Sequence, residues 1–428
     1  MSRPLPAWAE WPDAAVDFTL GVEEEVMLLD PADWSLAHEI DRVLTEIDPE
    51  LKAHVTAETH KSALELRTGS HRDVGSLAGE VFALRGQLDR SLRALGLRAA
   101  AAGTHPFAVW QETEVGTGAR QRRVYDSMRA LARREPTFGL HVHLGVSSPA
   151  QAIELYNRLL SHLPLLLALS ANSPLWQGRD TGLASARTPL FQAFPRVGIP
   201  RPFGDYRGWV QAVDVLLRSN AFADPTFLWW DVRPQPRLGT VEVRILDAQT
   251  TAAETVALVA LVQSLARLEL SEGYAPRELL DMPEVIEENR FLAARDGMEA
   301  ELIDPLLERR VPARGQLEQL VAACLPHARE LGCELQLSTV ATLAEGTGAR
   351  RQLHTWHSSG SLPALVAELA SAFLSAPGDA VLQVPDTGRR FDRPYGLEPG
   401  RSLPEVVLEE PHSVGEEDRG DVDLKLLE

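Results

Sequence analysis

The segment Phe18-Thr19-Leu20-Gly21-Val22-Glu23-Glu24-Glu25-Val26-Met27-Leu28-Leu29 decides how this chain is read. On a strand, side chains two apart share a face. One face here carries Phe18, Leu20, Val22, Glu24, Val26 and Leu28, and the other presents Glu23 and Glu25. Three more segments repeat the design. Residues 63–67 set Leu64 and Leu66 against Glu65 and Arg67, and residues 140–146 set four aliphatic side chains against His141 and His143. In residues 240–247, Val241, Val243 and Ile245 oppose Glu242 and Arg244. Such alternation predicts a largely antiparallel sheet with one buried face. A merely solvated face would mix Lys, Ser, Thr and Gln into these pairs. Glu/Glu, Glu/Arg, His/His and Glu/Arg point instead to a concave polar face that binds metal.

Outward from these strands, residues 227–233 and 97–103 are further strand candidates. Helices are expected over 74–95, 150–170 and 251–272. Pro164 should kink or split the second of these, and Thr251 and Glu254 have capping-box spacing in the third. Residues 172–205 are rich in Gly, Pro, Ser and Arg and read as a long loop. Four regions follow: an N-terminal extension (1–17), a catalytic sheet-and-helix core (18–275), a helical part of the same domain without a strong strand (276–384), and a Pro-, Gly- and acid-rich tail (385–428) expected to be largely disordered.

The chain has 428 residues, of which 44% are hydrophobic and 24% charged, as in globular proteins. Its formal charge of −19 argues against nucleic acid or anionic lipid as a partner. No apolar run reaches the roughly 20 residues of a membrane span, and no signal-like apolar region follows Met1. Two cysteines, Cys324 and Cys333, form no CxxC pair and read as reduced core thiols. Together these suggest a cytoplasmic protein. Lysine occurs only at Lys52, Lys61 and Lys425, so anion binding falls mostly to arginine.

Several carboxylates with one or two imidazoles suit Mg²⁺ or Mn²⁺. A bound cation also keeps close carboxylates ionised. Arg67 and Arg244 beside them suggest an anionic ligand bridging metal and guanidinium, such as a nucleoside triphosphate. The common alternatives are missing: no G-x-x-x-x-G-K-[ST], no G-x-G-x-x-G after a strand, no H-E-x-x-H and no G-x-S-x-G. His141-Val142-His143 leaves a zinc hydrolase as a competitor, and a nucleotide-binding protein without turnover is a third reading.

At these residues the sequence resembles the type 2 glutamate–cysteine ligases, or carboxylate–amine ligases, of the glutamine synthetase-like superfamily. The resemblance is carried by Leu20-Gly21-Val22-Glu23-Glu24-Glu25, Glu65-Leu66-Arg67-Thr68 and Gly139-Leu140-His141-Val142-His143-Leu144-Gly145-Val146. Ala168-Leu169-Ser170-Ala171-Asn172-Ser173-Pro174, Asp180-Thr181-Gly182, Trp230-Asp231-Val232-Arg233-Pro234 and Thr240-Val241-Glu242-Val243-Arg244, then Asp247, follow in the family's order. It implies an α+β fold with a curved, mostly antiparallel sheet of about six strands backed by helices. It also implies ATP-dependent amide formation, typically between the γ-carboxylate of glutamate and the amine of cysteine, through an acyl phosphate; other amines or carboxylates remain open. By position, Glu23, Glu58 and Glu65 would hold one metal, and Glu25, His141 and Glu242 the nucleotide metals. Arg244 would face the transferring phosphoryl group and His143 the nucleotide or acyl phosphate. Arg187 and Arg233 are candidates for the glutamate carboxylates, and Arg350 and Arg351 for the nucleotide. The partners are small molecules, and a homodimer is left open.

Overall fold

In the computed structural model, which describes residues 4–133 and 136–375, a seven-stranded sheet forms the centre. Its strands are β1 (Leu20–Leu29), β2 (Val55–Ala57), β3 (Ala63–Arg67), β4 (Arg98–Ala100), β5 (Gly139–Gly145), β6 (Val232–Gln235) and β7 (Thr240–Asp247). The order is β6-β7-β5-β1-β3-β2, with β4 added to the end of β1, and every pairing is antiparallel. The four segments with alternating charge are thus β1, β3, β5 and β7, adjacent in space.

Alternation works as expected on the rear face. Val22, Leu140, Val142, Leu144, Val241, Val243 and Ile245 are buried, each contributing on the order of 1.5–3 kcal/mol. The rear is covered by α1 (Val74–Ala94), α3 (Pro149–Leu159), α4 (Leu163–Ser170) and α7 (Ala252–Glu272), the front carries α2 (Ala119–Met128) and α5 (Arg187–Phe191), and α6 (Tyr206–Arg218) packs against α3. Glu24 falls on the rear face, as its parity requires. Its carboxylate is gripped by Arg85 of α1 at 2.6 and 3.0 Å and accepts a hydrogen bond from Thr255 of α7 at 2.7 Å. Helix α7 starts at the expected capping box: Thr251 Oγ1 accepts from the Glu254 amide while Glu254 accepts from the Thr251 amide.

Several expectations need correction. Residues 227–233 are not one strand. Trp229–Trp230 pairs in parallel with Val197–Gly198, and only from Val232 does the chain join the main sheet. Asp231 is the switch point: its amide donates to the Gly198 carbonyl at 3.0 Å, its carbonyl accepts from the Arg244 amide of β7 at 2.8 Å, and Arg290 holds its carboxylate at 2.7 Å. The segment 150–170 does split, but at the 3-10 turn Leu160–His162. Pro164 then sits in the first turn of α4, where its missing N–H costs nothing. The candidate strand 97–103 shrinks to three residues. β2 went unread because three residues carry no periodicity. The C-terminal region includes a hairpin, β8 (Glu301–Asp304) with β9 (Arg309–Pro312), whose polar composition hid it. The helix Pro283–Asp296 packs on α4, and Ala313–Leu331 packs on α7. The tail 385–428 lies outside the described residues.

Candidate active site

Register places the charged rows side by side. Glu23 of β1 stands opposite His141 of β5 and Arg67 of β3, and Glu25 opposite Glu65. Across the next pairings, His143 faces Glu242 and Glu242 faces Arg233. The β5–β7 register shifts between Val243 and Leu246, so Arg244 sits in an irregularity. Such bulges re-aim side chains near functional sites.

Above this floor lies a cavity of about 990 Å³. Glu23, Glu25, Glu58, Glu65, Arg67, His141, Arg187, Arg233 and Arg244 all line it. Glu242 and His143 lie at the level of the floor beneath, with Glu242 fully buried. Ligand atoms of Glu23, His141 and Glu242 lie within 4.8 Å of one another. His141 Nδ1 is 3.2 Å from Glu23 and 3.9 Å from Glu242, while its Nε2 is 3.7 Å from Glu25. His143 Nε2 is 3.5 Å from Glu23, and its Nδ1 meets the Thr240 hydroxyl at 3.0 Å.

The tight triad is Glu23, His141 and Glu242, because Glu23 and His141 are direct cross-strand neighbours. Glu25 stands with Glu65 across β1 and β3 and is the leading like-charge neighbour of Glu58.

The two groups differ electrostatically. Burial alone would raise Glu23, but hydrogen bonds from His141 and His143 outweigh it and hold the carboxyl well below its usual range. Burial works against Glu242 too, yet Arg233 and Arg244, with both histidines, keep it well below normal. Burial pushes Glu58 up to about 7, with help from Glu25, and raises Glu65 well above normal, reinforced by Glu23, Glu58 and Glu25. Glu25 is also raised by burial, opposed by Arg187 and by the Gly139 amide, which donates to it at 2.5 Å. A cluster that resists ionisation for want of positive charge is what a divalent cation would complete. Nε2 of His141 and Nε of Arg244 are buried without a hydrogen-bond partner, each an open position for a ligand.

The arginines divide. Arg244 pairs with Glu242 and faces the cavity. Arg187 lies along the β7 backbone, donating to the carbonyls of Ile245 (3.1 Å) and Arg244 (3.3 Å), with Asp247 at 3.8 Å and a buried, unpartnered Nε. Gly139 is required beside it, since a Cβ there would come within 2.3 Å of its guanidinium. Arg233 grips Glu242 at 2.7 Å and donates to the carbonyls of Leu228 and Thr226 at 2.6 and 3.1 Å. Its guanidinium is occupied by protein partners. Arg350 and Arg351 are not brought to the cavity: Arg350 donates to the carbonyl of Glu345, and Arg351 to that of Gly346 while pairing with Glu254 of the capping box. Both are used up at helix ends.

Sequence reasoning missed Gln235, which donates to Glu242 at 2.8 Å; its position two residues after Arg233 was the available signal. It also missed Thr56, which donates to Glu65 at 3.1 Å, and Arg120 of α2, which lines the cavity.

The comparisons with known proteins bear on this arrangement. Residues 19–368 match glutamate-cysteine ligase family 2 (GCS2). The chain belongs to that family. Similar curated proteins include "Putative glutamate--cysteine ligase 2-1" of Rubrobacter xylanophilus, 40% identical over 353 residues (82% of this chain, 94% of that protein). Another, "Putative glutamate--cysteine ligase 2" of Gloeobacter violaceus, is 40% identical over 356 residues (82% and 95%). Among solved structures, a glutamate–cysteine ligase from Francisella tularensis in complex with AMP superposes with a TM-score of 0.61 at 14% identity, covering 86% of this chain and 91% of that one. A bifunctional glutathione synthetase from Pasteurella multocida gives 0.64 at 13%, covering 84% and 52%. The fold of this family member is accordingly α+β with a mostly antiparallel sheet backed by helices, as expected, with one strand more than the six anticipated. Its activity class is ATP-dependent carboxylate–amine ligation. Among the described residues no helix is long and apolar enough to cross a membrane.

Proposed function

We propose that the protein is an ATP- and Mg²⁺-dependent ligase that joins the γ-carboxylate of glutamate to the amino group of cysteine. The observation that carries this is the triad of Glu23, His141 and Glu242 on one sheet face with Arg244 beside it. A donor carboxylate and a triphosphate repel each other, so their reaction needs fixed positive charge between them. Arg244, raised by its carboxylate neighbours against the effect of burial and so permanently charged, supplies part of it at the transferring phosphoryl group. His143, which Glu242 and Glu23 raise against burial, adds a proton-bearing ring next to the acyl phosphate. The Nε–H of Arg187 is free for a donor carboxylate.

Glu23, His141 and Glu242 would hold one divalent ion, and Glu25, Glu58 and Glu65 a second. Mg²⁺ or Mn²⁺ would supply charge screening and alignment of phosphate oxygens. In the first step a donor carboxylate oxygen attacks the γ-phosphorus of ATP, and the bond to ADP breaks. In the second the neutral amine nitrogen attacks the acyl carbon, the bond to phosphate breaks, and phosphate leaves with the proton that the nitrogen gives up. The intermediate is built on the substrate, so no protein nucleophile is needed.

The test is phosphate release by purified protein with ATP, Mg²⁺, glutamate and a panel of amines, with products read by mass spectrometry. Release that needs metal, ATP and glutamate, with γ-glutamylcysteine as product, is expected. Metal-dependent hydrolysis without ATP would overturn the proposal.

A further inference from the structure

Arg244 sits where two paired strands run out of step. Val243 pairs with Val142 and Leu246 with Leu140, so Arg244 and Ile245 together face the single residue His141. Such a bulge takes backbone groups out of the ladder, and buried ones must find partners elsewhere. Each edge here has its own holder. On the carbonyl side, Arg187 donates to the oxygens of Ile245 and Arg244 at 3.1 and 3.3 Å. On the amide side, the Arg244 N–H donates to the Asp231 carbonyl at 2.8 Å.

Asp231 is a poor anchor by itself. It is the residue at which the chain leaves the short parallel pair for the main sheet, and no ladder fixes such a point from the side. Its side chain supplies the hold. Arg290, on the helix Pro283–Asp296, donates through Nε to the Asp231 carboxylate at 2.7 Å and through Nη1 to Gln192, which follows α5. Asp231 and Arg290 are each buried to 5% exposure, and neither lines the cavity. A buried pair adds little net stability, because desolvation offsets attraction. What a guanidinium fork does fix is direction as well as distance. This pair therefore stands one backbone hydrogen bond behind Arg244, whose guanidinium pairs with Glu242 and comes within 3.4 Å of His141 Nδ1.

We propose that Arg290 is a positioning residue for phosphoryl transfer: through Asp231 it fixes the amide side of the β7 bulge, and so the aim of the Arg244 guanidinium. This rests on the reading of Arg244 given above. A displacement of about 1 Å at a group facing the reacting atoms can cost on the order of 100-fold in rate. Lysine at position 290 would keep the charge but, as a compact point charge, would lose the planar fork that spans Asp231 and Gln192.

The test is a double-mutant cycle of Arg290→Lys and Arg244→Ala on protein shown to be folded by urea denaturation. Kinetics are read with ATP, Mg²⁺ and the donor and acceptor that the wild type joins fastest. Arg290→Lys should lower kcat about tenfold, equal to about 1.4 kcal/mol, and leave KM for each substrate within about twofold. In the Arg244→Ala background the same change should cost less than about twofold, because the group it aims is gone. An unchanged kcat in the single variant, or losses that multiply in the double, overturns the proposal. If Arg290→Lys does not fold, Asp231→Asn, which keeps the shape and removes the charge that Arg290 holds, should show the same pattern. Should the wild type ligate nothing, or Arg244→Ala leave turnover intact, the reading of Arg244 fails by itself. Amide hydrogen exchange then decides the clamp. Exchange at least about tenfold faster over residues 243–246 in Arg290→Lys, with β1 unchanged, supports it, and equal exchange overturns it.

Discussion

Replacing Glu65 by glutamine should make the ligand-free protein more stable and the enzyme nearly inactive. Glu65 is opposite Glu25 on the neighbouring strand, and burial together with Glu23, Glu58 and Glu25 raises its carboxyl well above normal. Like charges facing each other across strands cost roughly 0.2–1 kcal/mol per pair. With three such neighbours, removing the charge should return about 1–2 kcal/mol, or a melting midpoint about 1–3 °C higher for a protein of this size. Glutamine keeps the shape and the oxygen that accepts from Thr56, so no packing loss offsets the gain. In saturating ATP and Mg²⁺ the order should reverse. Ligand at 100 times its Kd stabilises the wild type by about 2.7 kcal/mol, and the variant, short of one metal ligand, should gain much less. Ligation should fall ~100-fold or more, as when transition-state electrostatics are removed. Differential scanning fluorimetry with and without ATP and Mg²⁺, beside a phosphate-release assay, reads all three. A ligand-free variant less stable than wild type, or one with near-normal turnover, would refute the reasoning.

Three further outcomes are expected. Arg244→Ala should lower kcat ~100-fold or more, and steady-state kinetics with saturating substrates checks it. Arg85→Ala strips the buried Glu24 carboxylate of its guanidinium; breaking such a pair costs about 3–5 kcal/mol, measurable by urea denaturation, and should leave KM values of the folded fraction unchanged. His105 lies away from the cavity lining, and burial pushes it down to about 4. As pH falls below about 6.5, the unfolded chain takes up a proton that the folded state refuses, so stability drops until about pH 4, by up to ~3 kcal/mol from this group. His105→Asn should lose correspondingly less between pH 7 and pH 4 in urea titrations, and identical losses would contradict the assignment.

Much of the site was legible because strand periodicity is local. Glu23, Glu25, Glu65, His141, Glu242 and Arg244 each alternate with aliphatic neighbours, and that pattern puts them on the polar face whatever the rest of the chain does. The same parity placed Glu24 on the wrong side for chemistry, where Arg85 and Thr255 donate to its carboxylate. Arg350 and Arg351 fall outside the cavity lining: an arginine shows its charge in the sequence but not its partner. Both are occupied by carbonyls and a capping carboxylate nearby.

The sequence by itself determined which groups the polar face would carry, and hence the class of chemistry, since one face of a strand is written every second residue. Tertiary structure alone decided how those groups divide. Pairing register put Glu23 between His141 and Arg67 and Glu25 opposite Glu65, and packing occupied Arg233 with Glu242 and laid residues 7–10 along the cavity. Register and long-range packing come from contacts between segments two hundred or more residues apart, such as Thr255 with Glu24, and no local pattern encodes a partner at that distance.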